Sequence, residues 1–211
     1  IAFRFDKKKG ILPITGDVSI FFPAKKEKSN LKFHIDAPFS STVARDSIVD
    51  SAENDEMMEG IVALCRESIS KIRDQGLLTP TFFEVLPNAE DELDDFYNLI
   101  FEGLIDEFSS RDNKLMPLRD GTFGRIHKSI YCPKEVSDTF LEKNDINILF
   151  NEEKLDGFAI TPNEGSRFED FLTSLEGLVE YEDYEVFDRI YEIASNISKN
   201  YVDEMEEEVK E

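Results

Sequence analysis

The sequence predicts an α+β protein: a small mixed sheet with long amphipathic helices, then a smaller α+β subdomain that ends in helices. Three observations lead there. Short β-patterned runs fill the first 37 residues, two long stretches of helical apolar spacing follow, and beyond residue 110 a hairpin signal introduces further helices. The expected organisation is therefore one segment over 1–110 and a second over 111–211.

Taken in order, residues 1–6, 17–23 and 31–37 read as strands. The third alternates, with Leu31, Phe33 and Ile35 on one face and Lys32, His34 and Asp36 on the other. The charged loop 24–30 between the last two runs predicts that they pair antiparallel. Because Ile1 already lies within a strand, the sequence reads as an excised piece of something longer.

From Ser40 to Glu53 the chain is polar and turn-like, and Asp50 with Glu53 has the spacing of a capping box. A helix is then expected to run to about Asp74, with Met57, Ile61, Leu64, Cys65, Ile69 and Ile72 as its apolar stripe and Gly76 as its stop. Thr79–Leu86 predicts a short helix ended by Pro87. A long helix over Glu90–Ser109 is expected to bury Leu93, Phe96, Tyr97, Ile100, Leu104 and Phe108, its acidic first turn suiting the helix dipole.

Asp120-Gly121, between Lys114–Arg119 and Thr122–His127, predicts a hairpin whose two central residues both take positive φ. Pro133–Leu141 is expected to be helical, Ile146–Phe150 a strand, and 167–175 and 184–208 helices, with a fraying acidic end from Glu204.

The formal charge of −22 argues against a nucleic-acid backbone or an anionic membrane as partner. It is unevenly spread: residues 1–48 carry 9 Lys/Arg against 5 Asp/Glu, net +4, and the rest carry 15 against 41, net −26. Only the N-terminal quarter suits an anionic ligand, although Lys7–Lys9 and Lys25-Lys26 also fit solvated hairpin tips. Cys65 lies on a helical apolar stripe far from Cys132, which predicts a buried free thiol rather than a disulfide. No secretory signal and no apolar run near 18 residues occur, so a cytoplasmic location is expected.

Catalytic motifs are scarce. His34, Cys65, His127 and Cys132 share no metal-ligand spacing. There is no Gly-x-Ser-x-Gly elbow, and Gly121-Thr-Phe-Gly124 sits in a hairpin rather than between strand and helix, where a phosphate-cradling loop belongs. That leaves Arg45, at the junction between the last N-terminal strand and the first long helix. Its permanently charged, forked guanidinium matches phosphate oxygens. Local pairing with Asp46, Asp50 or Glu53 is the competing expectation.

Phe39-Ser-Ser-Thr-Val-Ala-Arg-Asp-Ser-Ile48, followed by a long amphipathic helix, resembles the middle domain of the ninety-kilodalton heat-shock chaperones. Phe21-Phe22-Pro23 and Leu31-Lys-Phe-His-Ile-Asp-Ala37 are similar to the segment that follows the GHKL-type ATP-binding domain in sacsin-type proteins. The resemblance covers residues 1–75, and Pro117–Gly121 resembles sacsin-like hairpins more weakly. Two positions depart from the chaperone pattern: its serine is Ala44 here and its glutamate Asp46.

This resemblance implies a sheet-and-helix fold like that of GHKL middle domains over 1–110. It also implies an upstream ATP-binding domain on the same polypeptide, using ATP and Mg, with Arg45 reaching the γ-phosphate and the chain relaying nucleotide state. This chain, lacking that domain's glycine-rich motifs, should neither bind ATP tightly nor hydrolyse it. The alternative is a binding module with no part in ATP chemistry, whose acidic C-terminal helices (167–211) hold a basic or apolar protein client.

Overall fold

A computed structural model describes residues 1–131, 155–180 and 183–208. It is a mixed α+β fold in which several helices pack with small sheets. Strands β1 (Arg4–Asp6) and β2 (Gly10–Leu12) form an antiparallel pair, and Ala2 bridges His34. Beside them, β3 (Val18–Ile20), β4 (Phe22–Pro23) and β5 (Ile35–Asp36) form a mixed sheet in the order β4-β3-β5.

The expected alternation holds: Leu31, Phe33 and Ile35 are buried. Their pairing differs from the expected antiparallel one, because β3 runs parallel to β5, with Val18 opposite Ile35. The cause is Phe21, which takes a left-handed conformation at φ 59 and folds the run 17–23 back on itself as β3 and β4. The loop after β4 then returns the chain to the start of β3, so the next strand must run alongside it.

Helix α1 (Ala52–Asp74) is capped by Ser51, whose side chain accepts from the Asn54 N–H, one residue later than the expected Asp50 box. It stops as expected. The Leu77 N–H reaches the Ile72 carbonyl and the Gly76 N–H reaches that of Arg73, with Gly76 at φ 71. The buried stripe is Asn54, Met58, Ile61, Cys65, Ile69 and Ile72, while Leu64 is exposed and Met57 only half-buried. Burial pushes the Cys65 thiol up to about 12. Thiol-reactive dye at mild alkaline pH should therefore label native Cys65 far more slowly than the urea-unfolded chain; equal rates would contradict its burial.

Helix α2 (Pro80–Phe83) follows, and α3 (Asp95–Ser109) packs along α1. The acidic stretch expected to open α3 instead forms a separate 3₁₀ turn, Ala89–Asp91. Asn88 and Asp91 cap it reciprocally, Glu92 turns left-handed, and Asp94 becomes the true cap of α3. Strands β6 (Met116–Pro117) and β7 (Phe123–Gly124) form the expected hairpin. Its tip is a tight turn with only Gly121 at positive φ, rather than a two-residue turn with both, since the Gly121 N–H bonds back to Leu118 and the Leu118 N–H to Thr122.

A second three-stranded sheet joins β8 (Ser129–Tyr131), β9 (Gly157–Phe158) and β10 (Val179–Glu180) in the order β10-β8-β9, all parallel. Helices α4 (Arg167–Thr173) and α5 (Asp183–Glu208) lie where helices were expected. The expected helix over Pro133–Leu141, the strand Ile146–Phe150 and the Cys132 thiol fall outside the described residues. No described helix is long and apolar enough to cross a membrane.

One core runs through both segments. Phe83 meets Phe108, Phe168 and Phe171 at ring-centroid distances of 5.4, 4.3 and 5.9 Å, so rings from both sides of residue 110 stack together. In the second segment Asp156 accepts from the Arg125 guanidinium at 2.9 and 2.8 Å and from its N–H at 2.9 Å.

Those bonds hold the Asp156 carboxyl at about 2, below its ordinary value. A carboxylate with a depressed folded pKa stabilises the native state above its unfolded pKa, and that contribution fades as pH falls toward the folded value. Wild type should thus lose about 1–2 kcal/mol, after solvent screening, between roughly pH 5 and pH 2 relative to Asp156→Asn. Parallel urea-stability curves for the two proteins across that window would contradict the ion pair.

Candidate functional site

Arg45 stands at the tip of a pinned loop. The sequence builds the pin from the helix start: Asn54 occupies the first turn of α1, on the stripe that faces the core, and is only 2% exposed. Its carboxamide oxygen accepts from the Ser40 N–H at 2.8 Å. Its Nδ2 donates to the carbonyls of Ser40 at 2.8 Å and Val49 at 2.7 Å. One buried side chain thereby ties together both ends of the loop Ser40–Val49. A buried amide with both donors used and its oxygen engaged has no reason to move.

Above this pin the limbs zip. The Val49 N–H reaches the Ser40 carbonyl at 3.1 Å, Ser41 bridges Ile48, and the Thr42 N–H reaches the Ser47 carbonyl at 3.1 Å. The tip closes with the Arg45 N–H donating to the Thr42 carbonyl at 2.8 Å, and Arg45 itself is left-handed at φ 55. A non-glycine residue in that region is disfavoured, so neighbouring bonds must hold it there.

Those bonds come from Asp46. Its carboxylate accepts from the Lys26 ammonium at 2.7 Å and the Thr42 hydroxyl at 3.0 Å, which hold its pKa below the ordinary value. The Asp46 carbonyl takes the Lys26 N–H at 2.8 Å, fastening the loop to the segment after β4. A second anchor is Glu27, which accepts from the Ile48 N–H at 2.9 Å and from the buried Tyr97 hydroxyl at 3.1 Å. Burial and the Glu27 carboxylate push the Tyr97 phenol far above its usual range, so it stays a donor.

The acids that were candidates to hold Arg45 locally are otherwise placed. Asp46 faces Lys26 and Thr42, Glu53 accepts from the Ser40 hydroxyl at 3.4 Å, and Asp50 is exposed. The Arg45 guanidinium has neither hydrogen bond nor ion pair among the described residues. It projects beside fully exposed Val43 and exposed Ala44.

The other side of the loop is electrostatically opposite. A cleft of about 420 Å³ runs beneath its returning limb, where Glu27, Asp50, Asp55, Asp94 and Asp95 gather around Phe96. An anion is repelled there, and the loop's one cation, Arg45, stands exposed at its tip and does not line that cleft. Among the described residues no cluster of His, Cys, Asp and Glu is arranged to hold a metal. His34 is not free to ligate through Nδ1, which accepts from the Asp17 N–H at 2.9 Å.

Asn54 and Lys26 were missed in the sequence. Asn54 left a signal, since it falls in register with Met58, Ile61 and Cys65, where a polar side chain needs buried partners. Lys26 left none, because its bond with Asp46 depends on the chain reversal at Phe21. No family model, curated protein or solved structure matches this chain.

Proposed function

We propose that this chain is the middle region of a larger chaperone-like ATPase of the GHKL class, similar to sacsin-type proteins. It supplies Arg45 to ATP bound on an upstream domain of the same polypeptide and relays the nucleotide state. The observation that carries this reading is a guanidinium on a pinned loop tip with no partner among the described residues. A guanidinium held out with no local acid is arranged to meet an anion on another body, and a phosphate fits its fork.

The chemistry follows from placement. A γ-phosphoryl group in transfer spreads negative charge over its oxygens, and a preorganised cation beside them lowers the barrier. The pin contributes a fixed backbone under the arginine, since Asn54, Asp46 and Glu27 hold the loop before any ligand arrives. Ala44 and Asp46, in place of the chaperones' serine and glutamate, give a different support: Asp46 works through Lys26 and Thr42. Because α1 begins at the loop's base, a pull on Arg45 passes directly into the long helix, which is the relay. The test is ATP turnover by the full-length parent carrying Arg45→Ala, and unchanged turnover sinks the role.

A further inference from the structure

Two surfaces of this chain are unsatisfied, and they complement each other. The first is α5. Within it Phe187, Ile190, Tyr191, Ala194 and Ile197 recur at helical spacing on one face. Phe187, Tyr191 and Ile197 are 52%, 74% and 64% exposed, and no described core residue lies on this helix. Its sequence carries nine acids against Arg189 and Lys199. An amphipathic helix gains most of its stability from the face it buries, and this face is open.

The second surface is the reversal between β3 and β4. Phe21 and Phe22 are 81% and 62% exposed there, and Lys25, Lys26 and Lys28 follow. Glu27 keeps its charge below the tip, where it accepts from the Ile48 N–H and the Tyr97 hydroxyl. Lys26 is paired with Asp46, which leaves Lys25 and Lys28 as the tip's cations without an ion pair among the described residues. Phe21 also holds its left-handed backbone, which glycine or asparagine would adopt at lower cost. A strained turn that displays an aromatic ring to solvent, next to lysines, is a surface shaped for an apolar, acidic partner.

We propose that α5 of one copy docks on the Phe21-Phe22 tip of a second copy, giving a head-to-tail self-association. Charge selects this pairing. Two acidic α5 helices repel each other, whereas Lys25 and Lys28 at the tip attract the helix. The contact joins different surfaces of the two copies, so it leaves one free tip and one free helix to recruit further copies. It goes beyond the nucleotide reading and does not rest on it.

Sedimentation of the 211-residue chain tests the proposal. Wild type should self-associate at low salt and dissociate as salt rises from ~0.01 M to ~1 M, where the Debye length shrinks from about 30 Å to about 3 Å. Phe21→Ser with Phe22→Ser, or Tyr191→Ser with Ile197→Ser, should each weaken association by about tenfold or more. All four side chains are exposed, so circular dichroism should show both variants folded. Mixing the two variants is decisive: one intact tip and one intact helix should restore a complex that stops at two copies. A wild type that stays monomeric at low salt overturns the proposal. So does a mixture that stays monomeric, or association indifferent to either variant.

Discussion

Replacing Asp91 with alanine should lower the unfolding free energy by up to about 3 kcal/mol, the low end for a fully buried pair, because it leaves the partly buried Arg167 guanidinium without its counter-charge. The Asp91 side chain is 3% exposed and takes both ends of the Arg167 guanidinium, Nη1 at 2.6 Å and Nη2 at 2.7 Å. Arg167 also donates to the carbonyls of Glu84 at 2.9 Å and Leu86 at 2.7 Å, and the Asn88 N–H reaches Asp91 at 3.0 Å.

Burial alone raises the Asp91 pKa, but the bonds from Arg167 and Asn88 outweigh it and hold the carboxyl below its ordinary value. With Asp91 gone, the guanidinium keeps its carbonyl partners and loses its counter-charge. Adding Arg167→Met should recover part of the loss, since an apolar pair of similar volume does without a desolvated ion. Urea denaturation measures all three proteins. A single-variant loss within about 1 kcal/mol would mean that water relieves the stranded arginine.

This clamp shows why some of the fold was legible in the sequence and some was not. The alternation of Leu31, Phe33 and Ile35 and the stop at Gly76 depend on neighbours a few residues away, and both were read correctly. The start of α3 depends on Arg167, 76 residues from Asp91. Local spacing made Glu90–Glu92 an acidic first turn; the distant arginine drew Asp91 inward and broke the run into a 3₁₀ turn. The parallel pairing of β3 with β5 was hidden for a similar reason, since Phe21 is not a residue that announces a reversal.

The site divides along the same line. Arg45 was visible because a cation between a strand and a helix is a local pattern. What surrounds it was not: its lack of an ion pair among the described residues depends on Lys26 taking Asp46, and the fixed backbone beneath it on Asn54 facing inward. Met58 rather than Met57 on the buried stripe of α1 follows from that geometry, because Met58 lies one helical turn beyond Asn54 on the same face.

On the proposed nucleotide reading, Arg45→Ala in the full-length parent should lower kcat for ATP hydrolysis by ~10³-fold, the scale of losing an arginine from a transferring phosphoryl group. KM for ATP should stay near wild type, because on the nucleotide reading the binding groups belong to the upstream domain and Arg45 acts in the transition state. Arg45→Lys should restore little, since an ammonium keeps the charge but lacks the fork that engages two phosphate oxygens.

Asn54 is a positioning residue on the same reading, and it separates a placed arginine from one that merely adds charge. Asn54→Ala removes three bonds from the loop's base and leaves Arg45 present. A cation that needs placement should then lose ~10–100-fold in kcat, as small misplacements do, with KM again unmoved. A cation acting only through the general field should lose almost nothing. Turnover of Arg45→Ala within about twofold of wild type removes the catalytic reading altogether, since an arginine acting in the transition state cannot be lost at so small a cost.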